Sequence, residues 1–164
     1  MDFIYCPKCG EKLRLKEIGD EGNIPYCDRC KRPWFSFSYP CVICLVIGED
    51  GRIALIRQYN IQRSICVAGY MKSGETAEDC AKREVGEETG LEVLSAEYVS
   101  SYYYPKNDNL MLGFAVKVKT APFSLSKEVE SADWFTVEQA VEELSKGTTG
   151  KNLLRDYLEK RDNK

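Results

Sequence analysis

Residues 69–91 read GYMKSGETAEDCAKREVGEETGL. A Gly-rich turn leads into about four helical turns carrying Glu84, Glu87 and Glu88. On a 3.6-residue period these positions stand at i, i+3 and i+4, so three carboxylates leave one face of the helix. Like charges that close destabilise an isolated helix, and keeping them together calls for a cation. Carboxylate oxygens completed by water and phosphate suit Mg²⁺ or Mn²⁺. Thr76 is placed to cap the helix, Glu78 and Asp79 sit in its first turn, and Gly90 stands where a left-handed residue ends it. Ala77, Cys80, Ala81 and Val85 form a small apolar face suited to packing on a sheet. Gly86 costs a helix interior up to about 1 kcal/mol relative to Ala, and its presence predicts close approach by another backbone.

At 164 residues the chain can hold one ordinary domain and a small appendage. Hydrophobic content of 43% beside 30% charged residues is that of a soluble globular protein. A net charge of −3 gives no general attraction to nucleic acid or anionic membrane. No apolar run reaches membrane-spanning length and Met1-Asp2-Phe3 does not begin a signal peptide, so a cytoplasmic protein is expected. Histidine is absent, which removes Ser-His and Cys-His nucleophilic mechanisms and leaves carboxylates as the general bases to consider.

The eight cysteines fall into two sets. Cys6-Pro7-Lys8-Cys9 and Cys27-Asp28-Arg29-Cys30 are paired Cys-x2-Cys knuckles resembling the four-cysteine zinc ribbon, in which four thiolates hold one tetrahedral ion. So short a segment buries too little apolar surface to be stable alone, and a metal supplies what is missing. With every coordination position filled by protein, the Zn²⁺ would be structural. Cys41 and Cys44 lie in an apolar, β-branched run (41–48) that reads as a buried strand. Residues three apart on a strand face opposite sides, so both are read as small core hydrophobes.

A strand (41–48), a turn (49–51) and a second strand (52–58) read as a hairpin, and 64–68 as a short strand delivering the chain to Gly69. Two further strands are predicted at 92–101 and 110–119 around the segment 102–109, then one at 127–135. Amphipathic helices follow at 137–145 and 153–160. The pattern predicts an α/β fold with a mixed sheet flanked by helices, residues 39–164, behind a ribbon of residues 1–38.

The central stretch follows Gly-x5-Glu-x7-Arg-Glu-apolar-x-Glu-Glu-x-Gly-apolar at every defined position: Gly69, Glu75, Arg83, Glu84, Val85, Glu87, Glu88, Gly90 and Leu91. It resembles the signature box of the Nudix hydrolases, and the resemblance implies their α/β/α sandwich and metal-dependent cleavage of a phosphoanhydride. It further implies Glu84 and Glu88 as principal Mg²⁺ or Mn²⁺ ligands, Glu87 as an assistant, and the Gly69 carbonyl as a possible extra oxygen. Arg83 orients the glutamates, and Glu75 is structural or outer-shell. The segment 128–135, Glu-Val-Glu-Ser-Ala-Asp-Trp-Phe, resembles the family's later acidic stretch, with Glu128 favoured over Glu130 as the acid that returns to the metals as ligand or base.

A ribbon directly before such a domain resembles the NADH pyrophosphatase (NAD diphosphatase) branch, whose members usually carry a longer N-terminal domain before the ribbon. Of that branch's other signature, Ser-Gln-Pro-Trp-Pro-Phe-Pro-x-Ser leading into Leu-Met-x-Gly-Phe, the chain keeps Ser101 and Leu110-Met111-Leu112-Gly113-Phe114, with Tyr104 able to replace the Trp as a stacking ring. Tyr70 matches a base-stacking position. Tyr102 and Tyr103 read equally well as strand-edge packing. The branch implies NAD(H) cleaved to NMN(H) and AMP, with ADP-ribose, another nucleoside diphosphate derivative or NAD-capped RNA as alternatives, and a homodimer. A ribbon docking or regulatory protein without catalysis is the reading from a different class.

Overall fold

A computed structural model of the chain describes residues 3–59, 61, 63–144 and 147–163. These form two compact units, Met1–Ser38 and Tyr39–Lys164.

The first unit is a three-stranded antiparallel sheet of β1 (Arg14–Glu17), β2 (Asn23–Cys27) and β3 (Arg32–Pro33), with β2 central. Its apolar content is slight. Phe3 packs edge-on against Trp34 at 5.6 Å and lies 5.6 Å from Phe37, while Ile4, Tyr5 and Leu15 remain exposed. Each knuckle turns on a left-handed residue, Gly10 in one and Lys31 in the other.

The second unit is built on β4 (Tyr39–Gly48), whose residues are buried from Cys41 onward. It pairs in parallel along its whole length with β8 (Asn109–Val118). On its other side it pairs antiparallel with β6 (Val67–Tyr70) through Cys41–Cys44 and with β5 (Ile53–Gln58) through Val46 and Ile47. Outside these lie β7 (Val93–Tyr104) against β8 and β9 (Val129–Phe135) against β5, completing a mixed sheet of order β7-β8-β4-β5-β9.

Alternation along β4 sorts the core into two layers. Val42, Cys44 and Val46 join Cys80, Ala81 and Val85 of α1 (Ala77–Thr89) on one face. Ile43, Leu45 and Ile47 join Ala140 of α2 (Val137–Glu143) and Leu153 and Leu154 of α3 (Thr149–Asp162) on the other. The result is the expected α/β/α sandwich. Cys41 and Cys44 are both buried within β4.

Several boundaries differ from the sequence expectation. β7 runs on through Tyr104 and leaves only 105–108 as the turn, because three consecutive tyrosines favour a pleated, half-buried surface. α3 begins at Thr149 rather than 153: Thr148 accepts from Lys151 N, and Gly150 lies against the Cys66 sulfur, where a larger residue would crowd. The expected end of the preceding helix, residue 145, lies outside the described residues.

The caps of α1 are those the sequence predicts. Asp79 N donates to Thr76 Oγ1 at 3.1 Å, and Gly90 takes φ 70° with its N–H on the Gly86 carbonyl. The expectation for Gly86 fails, since a Cβ there would meet nothing within 4 Å. With open space and helical backbone, Gly86→Ala should raise the unfolding free energy by about 0.5–1 kcal/mol in denaturant titration.

Candidate active site

Arg83 is the hub of the box. Its Nε and Nη2 donate to the two oxygens of Glu75 at 3.0 and 2.8 Å, a two-toothed grip. Nη1 donates to Glu84 Oε1 at 2.6 Å and Glu87 Oε2 at 3.1 Å, and Nη2 also reaches the Tyr70 carbonyl at 3.2 Å. Glu75 additionally accepts from Lys72 N, and with Arg83 beside it the carboxyl is held down to about 2. One guanidinium thus joins the loop after β6, the end of β6 and two acids of α1. Gly69 leaves room for this arrangement, because a Cβ there would fall inside the Glu84 carboxylate.

Glu88 has a different setting. It is only 5% exposed; Oε1 accepts from Gln58 Nε2 at 3.3 Å, and Oε2 is buried without a partner among the described residues. Burial, then the charges of Glu84 and Glu128, push its carboxyl up to about 7, against a small opposing effect of the Gln58 donor. Glu128 comes near because the segment before β9 crosses the end of α1: Ser124 N donates to the Thr89 carbonyl and Ser126 N to that of Glu88. Of the two later acids, Glu128 is therefore the one among the main charges acting on Glu88, while Glu130 is exposed on β9, where the pairing with β5 shifts register after Arg57. Gln58 carried no signal in the sequence; it reaches α1 from the last position of β5, 30 residues earlier in the chain.

The same Gln58 borders a cleft of about 820 Å³ lined also by Tyr70, Tyr102, Tyr103, Tyr104 and Asn109. Tyr102 is tied to α3 through Asp156 (2.7 Å) and Tyr103 to the turn through Asp108 (2.8 Å), so both tyrosines carry structural bonds. Tyr70 and Tyr104 keep 54% and 37% of their surface exposed. With Tyr103, which is 59% exposed, they give this cleft flat apolar surfaces to offer to a ligand.

In the first unit Cys6, Cys9, Cys27 and Cys30 form the one group of three or more Cys, Asp or Glu residues, among those described, whose ligand atoms all lie within 4.8 Å of one another. The acids around α1 are spread more widely. The Cys9 and Cys27 sulfurs are 3.5 Å apart and those of Cys6 and Cys30 3.9 Å, with no disulfide. Burial opposes ionisation of Cys6, but the N–H groups of Lys8 and Cys9 and the neighbouring thiols bring it down to about 6. Cys30 is pushed up to about 12 by its bond with Cys9 and by burial. Cys6 is thus drawn toward the thiolate while burial and its neighbours hold Cys27 and Cys30 toward the thiol, a conflict that a tetrahedral dication resolves.

The sandwich, the box and its buried acid define a class, and comparison with known proteins agrees. A sequence profile of the NUDIX domain matches residues 38–157, and the chain belongs to that family. The NAD-capped RNA hydrolase NUDT12 of Macaca fascicularis is 36% identical over 154 residues, which cover 88% of this chain and 33% of that protein. The NAD-capped RNA hydrolase NudC of Pseudomonas aeruginosa (strain LESB58) is 29% identical over 160 residues, 96% of this chain and 56% of that protein. The chain thus spans a third to just over half the length of these relatives. A NUDIX hydrolase of Nitrosomonas europaea superposes with a TM-score of 0.73 at 21% identity, over 98% of this chain and 93% of that one, a likeness of fold. No helix among the described residues is long and apolar enough to cross a membrane.

The raised Glu88 carboxyl has a measurable consequence in protein stripped of divalent ions. A folded acid that keeps its proton above the ordinary value of 4.5 contributes stability that is present below that pH and is lost as pH climbs toward about 7. Denaturant titrations in chelator should show stability falling from pH 5 to pH 7, a slope that Glu88→Gln flattens.

Proposed function

We propose that the chain is a divalent-metal-dependent pyrophosphohydrolase acting on a nucleoside diphosphate joined to a second group, with NAD(H) the favoured substrate and NMN(H) and AMP the products. The observation that carries this reading is Glu88, buried with one unpartnered oxygen and crowded by Glu84 and Glu128. Such a carboxylate is stable as an anion only beside a cation, and the donors are hard oxygens of the kind Mg²⁺ and Mn²⁺ take. Glu84, Glu87, Glu88, Glu128 and the Gly69 carbonyl are the groups that would hold the ion. When bound, it supplies charge neutralisation at the phosphates and a water of lowered pKa.

The chain's own residues do the rest. Arg83 keeps Glu84 and Glu87 turned the same way, and Gln58 engages one oxygen of Glu88 so that the other stays available. Glu128 takes the proton of the water that attacks one phosphorus. The bond from that phosphorus to the bridging oxygen breaks, and the bridging oxygen leaves with the second phosphate. Tyr70 and Tyr104 stack on a ring of the substrate, worth roughly 1–3 kcal/mol per base. The two relatives are named as NAD-capped RNA hydrolases, which supports a substrate of the NAD type, and the end of an NAD-capped RNA presents the same diphosphate. Residues 1–38 act as a zinc ribbon whose four thiolates hold one structural Zn²⁺.

A screen of NADH, NAD⁺, ADP-ribose and NAD-capped RNA with Mg²⁺ or Mn²⁺ tests the reading. Hydrolysis of NADH or NAD⁺ to NMN(H) and AMP is expected; failure to turn over any diphosphate refutes it and leaves a docking module. Glu128→Gln should lower kcat by about 10²-fold or more with the fold intact, and unchanged turnover moves the role to Glu87 or Glu130. Metal analysis should find one zinc per chain, lost in Cys27→Ser together with the ordered first unit.

A further inference from the structure

The basic residues of the first unit have no part in the chemistry described above. Residues 1–38 hold seven Lys and Arg against six Asp and Glu, whereas residues 39–164 hold 16 against 20. The catalytic unit is therefore negative before any metal binds, and the chain's local excess of positive charge lies on the ribbon. Within the ribbon the charges are sorted again. Arg14 stands directly opposite Tyr26, and Lys16 opposite Ile24, so both cations share a face with the ring. Glu17 falls on the opposite face by alternation, and Asp20 and Glu21 lie in the β1–β2 turn. The Lys16 ammonium lies 4.2 Å from the Tyr26 ring centroid and the Arg14 guanidinium 5.7 Å, so one ring holds two cationic heads in place. Asp28 accepts from Arg14 at 2.5 Å, and that bond, with the charges of Lys31 and Lys16 behind it, holds its carboxyl below the ordinary value. One acid among three cations leaves the face positive.

We propose that this face of β1 and β2 is an interaction surface for a single-stranded RNA chain, whose phosphates Arg14, Lys16 and Lys31 contact. The inference rests on the reading of the catalytic unit as one that accepts an NAD-capped RNA, and it adds where the remainder of that molecule is held. Arg14 and Lys16 stand two strand residues apart, about 7 Å, close to the step between successive phosphates of an extended nucleic-acid strand. Contacts from Arg and Lys to phosphate carry no base preference, so the surface suits RNA of any sequence behind the cap. An acidic peptide offers carboxylates on flexible stems at no fixed spacing. A backbone with one charge at every step is the better complement to cations fixed over a ring.

Fluorescence anisotropy with a short labelled oligoribonucleotide lacking a cap reads this without catalysis. The full chain should bind it, and the logarithm of affinity should fall against that of salt with a slope of about −2, roughly −0.7 for each of three phosphates held. Lys16→Ala combined with Lys31→Asn, which suits the left-handed backbone at 31, should weaken binding about tenfold and reduce the slope by roughly 1.4. Zinc content and melting curves report integrity, and Lys16→Ala alone carries the test if the double variant does not fold. Asp28→Asn, which removes the acid from the face, should tighten binding. The double variant should also turn over NAD⁺ as the wild type does, but NAD-capped RNA with a raised KM and unchanged kcat. No binding of the uncapped RNA, binding indifferent to these substitutions, or equal binding of a polyglutamate peptide would overturn the proposal, the last in favour of a protein partner. Absence of all hydrolysis with Lys16-dependent RNA binding retained would sink the enzymatic reading alone. Hydrolysis of capped RNA with a KM that the substitutions do not move would sink this one alone.

Discussion

The guanidinium of Arg83 is the constraint on which the site depends. It is largely buried and answers to Glu75, Glu84, Glu87 and the Tyr70 carbonyl at once, and the three carboxylates, Glu75 foremost, push its already high pKa further up. Removing one partner from a buried ion pair costs about 3–5 kcal/mol, because the survivor keeps its desolvation without its neighbour. Here the survivors would be acids on one helix face. The same contacts fix where β6 ends, how the loop of Lys72–Glu75 folds back and which way the α1 carboxylates point. Lysine could not replace it, having no planar fork to divide among four acceptors.

The two clusters of the molecule show one physical problem at two stages. Around the four cysteines the sulfurs are already gathered within 4.8 Å, and the proton affinity of Cys6 is driven down while those of Cys27 and Cys30 are driven up. Around α1 the protein supplies its own cation to Glu84 and Glu87, and only Glu88 remains without one. Crowding of the three α1 acids in the sequence therefore overstated the repulsion left to an external ion. What remains concentrates on one carboxyl.

The helix, its caps and the face its acids share were legible because they depend on local spacing, as were the strands with apolar runs. Spacing along an element does not reveal what stands opposite. Gln58 meets Glu88 from the end of β5, 30 positions earlier in the chain, and Glu128 comes near through a segment that returns across the end of α1. Gly86 misled because its cost is visible in the sequence while the empty space beside it is not. The run Tyr102-Tyr103-Tyr104 looked like a connection because turn-forming residues follow it closely, yet β propensity carried the strand to its last ring.

The ladder between β4 and β8 bears on how the chain is made. Every one of its ten pairs joins residues 70 apart, and β4 is the strand on which both core layers close. A ribosome releasing the protein from its N-terminus must therefore emit the α1 acids and Arg83 well before the strand that completes the central sheet exists. Until residue 118 has cleared the exit tunnel, Val42, Leu45 and Val46 lack the strand that pairs with them on one side and present an open flank. Loop closure over such a span is entropically slow. The nascent sandwich thus spends its most adhesive interval waiting for a partner strand, while the strands of the ribbon ahead of it pair entirely within residues 14–33 and are all made early.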